Sequence, residues 1–297
     1  MSTPQTRHVP VLVDQVLEFL QPQPGQTIVD CTVGGGGHAR RIAERLGPHG
    51  RLLGLDQDQT MLELARTALP PGTAQLEHGN FDQLRPLLDR LGIEAVDGVL
   101  ADLGFCSDQV DDPERGLSFS QPGPLDMRLD RSAGSPASAL LEQLNERDLA
   151  DLFWTFGEER FSRRIARRIV DVRQRTPLTT TDQLAELVRR CVPRSRGHGI
   201  DPATRVFQAL RIAVNDELGA LERLLGALPH CLRAGGRVVV ISFHSLEDRL
   251  VKRGFRQRDL WQELTRKPVQ AEDGEVKDNP RARSAKLRAA ARTASTG

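Results

Sequence analysis

Four consecutive glycines, followed about twenty residues later by an acid, are the residues of this chain best suited to hold a nucleotide-like ligand. Gly34 to Gly37 follow a short apolar run at 27–30, and a second apolar run at 52–55 ends in Asp56. Glycines let the backbone pass close to a ligand at positive φ angles, and a following helix points free N–H groups at a ligand anion. An acid at the tip of the second strand can accept both hydroxyls of a ribose. This order of strand, glycine loop, helix, strand and acid predicts the first half of a nucleotide-binding α/β sheet.

Two classes of ligand fit such a loop. Gly34, Gly36 and Ala39 match the dinucleotide fingerprint GxGxxG/A, which predicts a nicotinamide or flavin enzyme. S-adenosylmethionine also fits, with its ribose against Asp56 and its carboxylate at the N-terminus of the helix. The loop alone does not decide between the two.

The apolar segments predict a mostly parallel α/β sheet with a helical insertion. Strands are expected at 27–30, 51–55, 74–78, 96–104 and 236–245, with a helix at 10–20. The fourth and fifth strands are separated by far more than the dozen or so residues that a crossover needs. We therefore expect a core domain formed by 1–106 and 201–297, and an inserted helical domain at 107–200. The segment after the insertion, 202–236, predicts one long amphipathic helix that returns to the sheet.

Composition restricts the class of protein. The 297 residues are 38% hydrophobic and 27% charged with a net charge of +1, as expected for a globular protein. There is no apolar stretch of the roughly 18–20 residues that span a bilayer, and no pattern of a signal or transit peptide. The four cysteines form no CxxC pair. We expect a cytoplasmic protein with reduced thiols, no metal site and no membrane association.

Basic residues are concentrated in three segments despite the balanced total charge. Residues 160–175 hold seven arginines and one acid, and residues 281–292 hold five basic residues and no acid. A third segment, 252–267, interleaves basic residues with Phe255 and Trp261. Together these segments suggest a surface for a polyanion.

Many ordered sequence blocks, in register over nearly the whole chain, resemble one known family. The chain is similar to the bacterial small-subunit ribosomal RNA methyltransferases H, which methylate N4 of a cytidine in the ribosomal P site. The blocks are HVPVL (8–12), DCTVGGGGHA (30–39), GLDQD (54–58), NF (80–81), ADLGFCSDQVDDPERGLSF (101–119), PLDMRLD (124–130), GEERFSRRIARRI (157–169), PATRVFQALRIAVNDEL (202–218), GGRVVVISFHSLEDRLVK (235–252) and NPRARSAKLR (279–288). No machinery for hydride transfer accompanies the glycine loop, which disfavours a dehydrogenase.

The resemblance implies a class I S-adenosylmethionine-dependent fold with an inserted helical domain for substrate recognition. It places the cofactor contacts of the family on Gly36, Gly37, His38, Asp56, Phe81, Asp102 and Gln109. The glycines and Asp56 follow from the residues themselves, whereas the others rest on the resemblance. The implied substrate is 16S ribosomal RNA in the small ribosomal subunit, and a homodimer is left open.

Methylation of N4 requires an acceptor for the N–H protons of a weakly nucleophilic amine. Many amino-methyltransferases use an Asp/Asn-Pro-Pro-aromatic segment after the fourth strand, and this chain instead carries Asp102 without the prolines or the aromatic residue. Asp102 is therefore the first catalytic candidate, with His244 and Ser242 at the end of the fifth strand as further candidates. We expect Arg164, Arg168, Asp126 and Arg128 to contact RNA, the last two by gating the site from the loop that carries them.

Several positions depart from the pattern of the family. Cys106, Asp108, Leu117, Phe156 and Asp201 replace the Ser, Pro, Phe, Tyr and His that relatives commonly carry. Cys106 leaves open a C5-cytosine methyltransferase, which needs a cysteine nucleophile after the fourth strand. A ribosome-assembly factor that keeps the fold without catalysis is a third class, disfavoured by the intact loop and Asp56.

Overall fold

The structure, a computed structural model, describes residues 9–193 and 201–294 and divides into two compact units. The first unit comprises residues up to 104 together with those from 218 onward, and the second comprises 105–217. The chain thus leaves the first unit after its first four strands and returns to it at residue 218. In the described ranges, no helix is both long enough and apolar enough to cross a membrane.

The first unit contains a twisted α/β sheet of seven strands within the described residues. In chain order the strands are β1 (Thr27–Asp30), β2 (Arg51–Asp56), β3 (Gln75–His78), β4 (Val96–Asp102), β5 (Leu232–Ser242), β6 (Trp261–Glu263) and β7 (Lys286–Arg292). Their spatial order is β3-β2-β1-β4-β5-β7-β6. The first five strands are parallel, and β7 is antiparallel to both β5 and β6. The predicted mostly parallel α/β architecture is confirmed.

Helices cover both faces of this sheet. In the described residues of both units, the α-helices are α1 (Val13–Leu20), α2 (Gly37–Leu46), α3 (Gln59–Ala68), α4 (Leu84–Arg90), α5 (Ser107–Asp111), α6 (Ala137–Gln143), α7 (Glu146–Gly157), α8 (Ser162–Arg173), α9 (Thr181–Cys191), α10 (Ala203–Val214), α11 (Glu217–Cys231), α12 (Ser245–Phe255) and α13 (Asp273–Asp278). Successive strand residues point to opposite faces, so Ile28 packs with α1, α2 and α3 while Val29 packs with α4, α11 and α12. Burial on both faces explains why the central strands are almost continuously apolar.

Two strands, β6 and β7, were not expected from the sequence. The basic run at 281–292 contains β7, where Arg288 is buried and donates to the Asp248 carboxylate at 2.7 Å. Phe255 and Trp261 are also buried, with ring centroids 5.6 Å apart. The interpretation of these two segments as an aromatic and basic surface is therefore wrong for their aromatic residues and for Arg288, which belong to the interior.

The second unit is helical and has its own core. Helices α6 to α10 bury side chains against one another around Phe153, Ile165, Leu184 and Leu210. Because α10 contributes to this core, the unit extends to residue 217, whereas the sequence assigned 201–217 to the sheet domain. The predicted boundary at residue 200 lies outside the described residues.

The expected long helix after the insertion is two helices, α10 and α11. They are separated at Asn215, which follows the last residue of α10, and at Asp216, whose φ is +48°. The side chain of Asn215 accepts from Leu129 N at 2.8 Å and donates to the Met127 carbonyl at 2.9 Å. The break thus places the Asn215 side chain against the loop at 127–129. Helical periodicity in the sequence cannot predict such a contact, because the two segments are far apart in the chain.

Candidate active site

The glycine loop joins β1 to the N-terminus of α2 and follows a path that requires glycine. Gly36 precedes the helix with φ +85°, a conformation that other residues adopt only with strain. A Cβ atom on Gly37 would lie 2.9 Å from the side chain of Pro10, so this position also lacks space for a side chain. The predicted sequence of strand, glycine loop and helix is confirmed.

Asp56 fixes this loop from the end of β2. Its carboxylate accepts hydrogen bonds from the backbone N–H of Gly34 at 2.8 Å and of Asp58 at 2.9 Å. Burial raises the pKa of Asp56 to about 6, although both backbone hydrogen bonds lower it. The glycine loop and Asp56, which the sequence predicts to belong to one binding site, are therefore in direct contact.

Two further carboxyl groups end the neighbouring strands β1 and β4. Asp30 is buried, and its Oδ1 accepts from Thr32 N at 3.1 Å. Thr32 Oγ1 in turn accepts from the backbone N–H of Asp102 at 2.7 Å. Within the described part of the chain, Asp30 Oδ2 and Asp102 Oδ1 are buried without a hydrogen-bond partner. Such acceptors are costly unless a donor reaches them, which suits a site that receives a ligand.

Burial and mutual repulsion change the protonation of these acids. Burial, with additional repulsion from the Asp56 carboxylate, raises the pKa of Asp30 to about 7, although the hydrogen bonds with Thr32 lower it. Burial also raises the pKa of Asp102 well above its ordinary range, with additional repulsion from Asp30 and Glu247. Perturbed acids that meet at the carboxyl ends of parallel strands are typical of a functional site.

His38, in the first turn of α2, lies between this cluster and the N-terminal segment. Its ring is buried, with Nε2 2.8 Å from the carbonyl oxygen of Val11 and Nδ1 3.7 Å from Asp102 Oδ2. Because a carbonyl only accepts, Nε2 carries a proton. The sequence predicts His38 as a cofactor ligand, and the structure also places its ring beside the catalytic candidate Asp102.

The end of β5 carries the other two catalytic candidates, in different environments. Ser242 is buried, and its hydroxyl donates to the Lys286 carbonyl at 3.3 Å, toward β7. His244 precedes α12, and its Nδ1 accepts from Glu247 N at 3.4 Å. The Glu247 carboxylate accepts from Phe243 N at 2.8 Å, and its Oε1 approaches His244 Nε2 to 3.2 Å without a formed hydrogen bond. His244 therefore caps a helix, while Ser242 bonds to a neighbouring strand.

Phe81 begins a short 3₁₀ helix three residues beyond the end of β3. The backbone N–H of Gly79 donates to the carbonyl of Asp56 at 2.9 Å, which ties this segment to the end of β2. Phe81 is partly buried against the core of the sheet. The glycine loop follows β1, Asp56 ends β2 and Phe81 follows β3, so all three lie at the carboxyl ends of these parallel strands.

In the second unit, Cys106 and Gln109 cap α5. The Cys106 side chain accepts the backbone N–H of Gln109, and Gln109 Oε1 accepts from Cys106 N at 2.9 Å. Both residues are buried. The predicted cofactor ligand Gln109 therefore has a structural role within its own unit, and its contact with the cofactor stays a prediction.

Asp126 and Arg128 form a bidentate ion pair in the loop before α6. Arg128 Nε lies 2.7 Å from Asp126 Oδ1, and Arg128 also donates to two carbonyls of the same loop. Burial raises the pKa of Asp126, but the hydrogen bonds from Arg128 outweigh this and lower it. The pair organises its loop, so a direct substrate contact by either residue remains a prediction.

The clustered acids distinguish between the two ligand classes that fit the glycine loop. A dinucleotide would bring an anionic pyrophosphate to a region that already holds Asp30, Asp56 and Asp102. S-adenosylmethionine is instead positively charged at its sulfonium and amino groups, which suits buried acceptors without partners.

Sequence reasoning missed Asp30 and Glu247 as parts of this cluster, although the position of Asp30 at the strand end, directly before the loop, was a usable signal.

Comparison with known proteins agrees with this geometry. A family model described as the MraW methylase family matches residues 5–293. The chain belongs to this methylase family. Its fold is the class I methyltransferase fold and its cofactor is S-adenosylmethionine, so the dehydrogenase alternative is excluded.

Relatives of nearly equal length carry one name, ribosomal RNA small subunit methyltransferase H. One from Sorangium cellulosum is 50% identical over 96% of this chain and 91% of its own length. Another, from Cyanothece sp., is 51% identical over 97% of this chain and 96% of its own length. A third, from Deinococcus radiodurans, is 49% identical over 99% of this chain and 92% of its own length.

Proposed function

We propose that this protein transfers a methyl group from S-adenosylmethionine to the exocyclic N4 of a cytidine in the P-site region of 16S ribosomal RNA. The observation that carries the proposal is Asp102, a buried carboxyl group at the end of β4 whose Oδ1 has no partner among the described residues. Its position beside the glycine loop supports a role close to the methyl group of the bound cofactor, which the amine has to approach. The shared name of the relatives supports ribosomal RNA of the small subunit as the substrate.

The residues of the chain divide the tasks of such a reaction. Gly36, Gly37 and Asp56 would hold the cofactor, which supplies a methyl group on a positively charged sulfur. Asp102 would accept an N–H of the cytosine amine and so direct the nitrogen lone pair at the methyl carbon. As the N–C bond forms, the amine becomes positive and loses one proton, which Asp102 would take or pass on. In its ionised form, Asp102 would stabilise that positive character in the transition state through its negative charge.

The base must leave its stack to reach a group at the sheet edge. Unstacking is least costly where RNA is single-stranded or already distorted, as in a structured ribosomal particle. The near-zero net charge of the chain is also poorly suited to tight binding of naked RNA at physiological salt. We therefore propose the assembled small subunit, or a late precursor of it, as the substrate, in the cytoplasm.

The inserted unit, in this proposal, recognises the RNA. Arg164 and Arg168 are exposed on α8, and both lower the pKa of Cys191 on α9, although burial raises it more strongly. Their charges therefore lie over the junction of two helices in a unit that contains no strand of the sheet. Charge reversal at both positions should weaken binding to the subunit and leave cofactor affinity unchanged.

Mass spectrometry of nucleosides tests the reaction directly. Small subunits from a strain that lacks the gene should carry unmodified cytidine at one position, and the purified protein with S-adenosylmethionine should convert it to N4-methylcytidine. Appearance of 5-methylcytidine would indicate the C5 reaction, and absence of any product would favour an assembly factor. A short oligonucleotide methylated as efficiently as the subunit would contradict the proposed substrate.

A further inference from the structure

The exposed aromatic residues of the chain are concentrated next to its arginine-rich helix. Among described residues, the large hydrophobic side chains with substantial exposure are Val9, Trp154 and Phe161. Trp154 is 60% exposed near the end of α7, and Phe161 is 37% exposed immediately before α8. Two of the three therefore flank the single turn that connects α7 to α8. Large exposed apolar side chains in one place commonly mark an interaction site.

Trp154 is exposed because of its position on α7. The core-facing residues of this helix include Leu149, Leu152 and Phe153. Trp154 is 60% exposed and is not part of that core, which therefore does not account for it. An indole on the surface offers a large flat face without contributing to the packing of its own unit.

Phe161 and the arginines of α8 share one side of the helix. Phe161, Arg164 and Arg168 are spaced by three and four residues, which places them in one row along the helix. Arg160, Arg163, Arg164 and Arg168 are exposed, and within 9–193 and 201–294 no acidic side chain pairs with any of the four. By contrast, Arg167 pairs with Glu146 and Arg147 pairs with Asp151. The positive charge at this turn is therefore available to a ligand.

From these observations we infer that Trp154 and Phe161 are stacking platforms for unpaired bases of the RNA substrate, with Arg160, Arg163, Arg164 and Arg168 holding the adjoining phosphates. The inference rests on the proposed function, since it names how that RNA is held by the second unit. Exposed aromatic rings beside unpaired arginines suit single-stranded nucleic acid, whose bases stack while its backbone needs positive charge. A second copy of the same face is disfavoured because four unpaired arginines would meet four others.

Tryptophan fluorescence provides a test that does not depend on methyl transfer. The chain has two tryptophans and no tyrosine, and Trp261 is only 3% exposed, so Trp154 is the accessible fluorophore. Titration at low salt, where the electrostatic part of RNA binding is strongest, with an oligocytidylate of eight nucleotides should quench the emission of Trp154 as bases stack on it. Inorganic polyphosphate is the matched probe, since it carries charge without bases and should bind without comparable quenching. Trp154→Phe should remove the quenched component and leave the emission of Trp261.

Kinetics with the small subunit then measure the importance of the surface. Trp154→Ala should raise KM for the subunit by about 5- to 150-fold, the range for loss of one stacked base, while Trp154→Phe should keep KM close to that of the wild type. Arg164→Ala with Arg168→Ala should reduce the slope of log binding against log salt by about 1.4, or 0.7 for each lost phosphate contact with single-stranded RNA. Arg147→Ala is the control arginine, because it is 89% exposed and already paired. Val9→Ala is the control for an exposed apolar side chain.

The outcomes separate this inference from the proposed function. Equal quenching by polyphosphate, or an unchanged KM in Trp154→Ala, would overturn the stacking role even if the wild-type protein methylates RNA. A raised KM without quenching by the oligonucleotide would assign the surface to a protein of the subunit, which also contradicts the inference. Quenching in a protein that forms no methylated cytidine would retain the RNA surface and reject the proposed reaction.

Discussion

The Nδ1 atom of His38 lies 3.7 Å from Oδ2 of Asp102, and Nε2 of the same ring lies 2.8 Å from the Val11 carbonyl oxygen. One oxygen of Asp102 therefore faces a histidine held by the backbone, while the other has no partner in the described part of the chain. This arrangement places the His38 ring beside one oxygen of the carboxyl group and leaves the second oxygen for an incoming donor.

Replacement of Asp102 by Asn should reduce turnover by about 100-fold or more. The amide keeps the shape and one acceptor oxygen but loses the charge that stabilises a developing positive nitrogen. Single-turnover methylation at saturating cofactor measures the effect, and calorimetry with S-adenosylmethionine provides the comparison. If saturating cofactor restores the rate, Asp102 is a ligand of the cofactor alone and His244 becomes the first catalytic candidate.

Replacement of Asp56 by Ala should weaken S-adenosylmethionine binding by about 2–3 kcal/mol, because charged hydrogen bonds to the ribose are lost. The change also frees the backbone N–H groups of Gly34 and Asp58. Asp56→Asn should have an intermediate affinity, since it keeps one acceptor oxygen. Calorimetry measures all three proteins, with the 67% exposed Asp89→Asn as control. Equal affinities of the alanine variant and the wild type would contradict the assignment.

Stability should fall as pH rises through the range in which Asp30 ionises. Burial raises the folded-state pKa of Asp30 from 3.8 to about 7, so the folded protein binds this proton more tightly than the unfolded chain. Its stabilising contribution is complete below pH 3.8 and is lost up to about pH 7, by at most about 1.4 kcal/mol per pH unit. Urea unfolding of the cofactor-free protein at several pH values should show this decline, and Asp30→Asn should make it shallower. If the stability of Asp30→Asn and of the wild type changed equally with pH, a proton held on Asp30 in the folded state would be excluded.

Replacement of Cys106 by Ser should preserve most of the activity. Serine is the better residue at the N-cap of α5, and it removes the thiolate that C5 chemistry needs. The variant is assayed on small subunits, with nucleoside mass spectrometry to identify the product. A folded variant without any turnover would support Cys106 as a nucleophile.

Two substitutions of His244 can separate its capping role from catalysis. His244→Asn keeps a good N-cap for α12, whereas His244→Ala loses it and should destabilise the protein by about 1 kcal/mol. If the imidazole takes part in the reaction, both variants lose turnover while only the alanine variant loses thermal stability. A rate loss confined to the alanine variant would leave His244 a structural role only. For Ser242, whose hydroxyl donates to the Lys286 carbonyl of β7, turnover and thermal stability of Ser242→Ala are compared in the same way.

Features set by neighbouring residues were predictable from the sequence, and features set by distant contacts were not. The glycine loop, Asp56 and the first five strands follow from short periodic patterns. Strand β7 was missed because its alternate positions carry Lys286, Arg288 and Arg292, and it is stabilised by pairing with β5 and β6. The proximity of Asp30 and Asp102 depends on the register of β1 against β4, which no local pattern specifies.

The position of β7 has a consequence for the synthesis of the protein. This strand is translated after every other strand of the described sheet, yet it lies between β5 and β6. Until Arg292 has been added, β5 keeps one edge without its partner, and the short β6 has no neighbour in the sheet. A nascent chain stopped before β7 would thus expose an unpaired strand edge, the feature that promotes aggregation and recognition by chaperones.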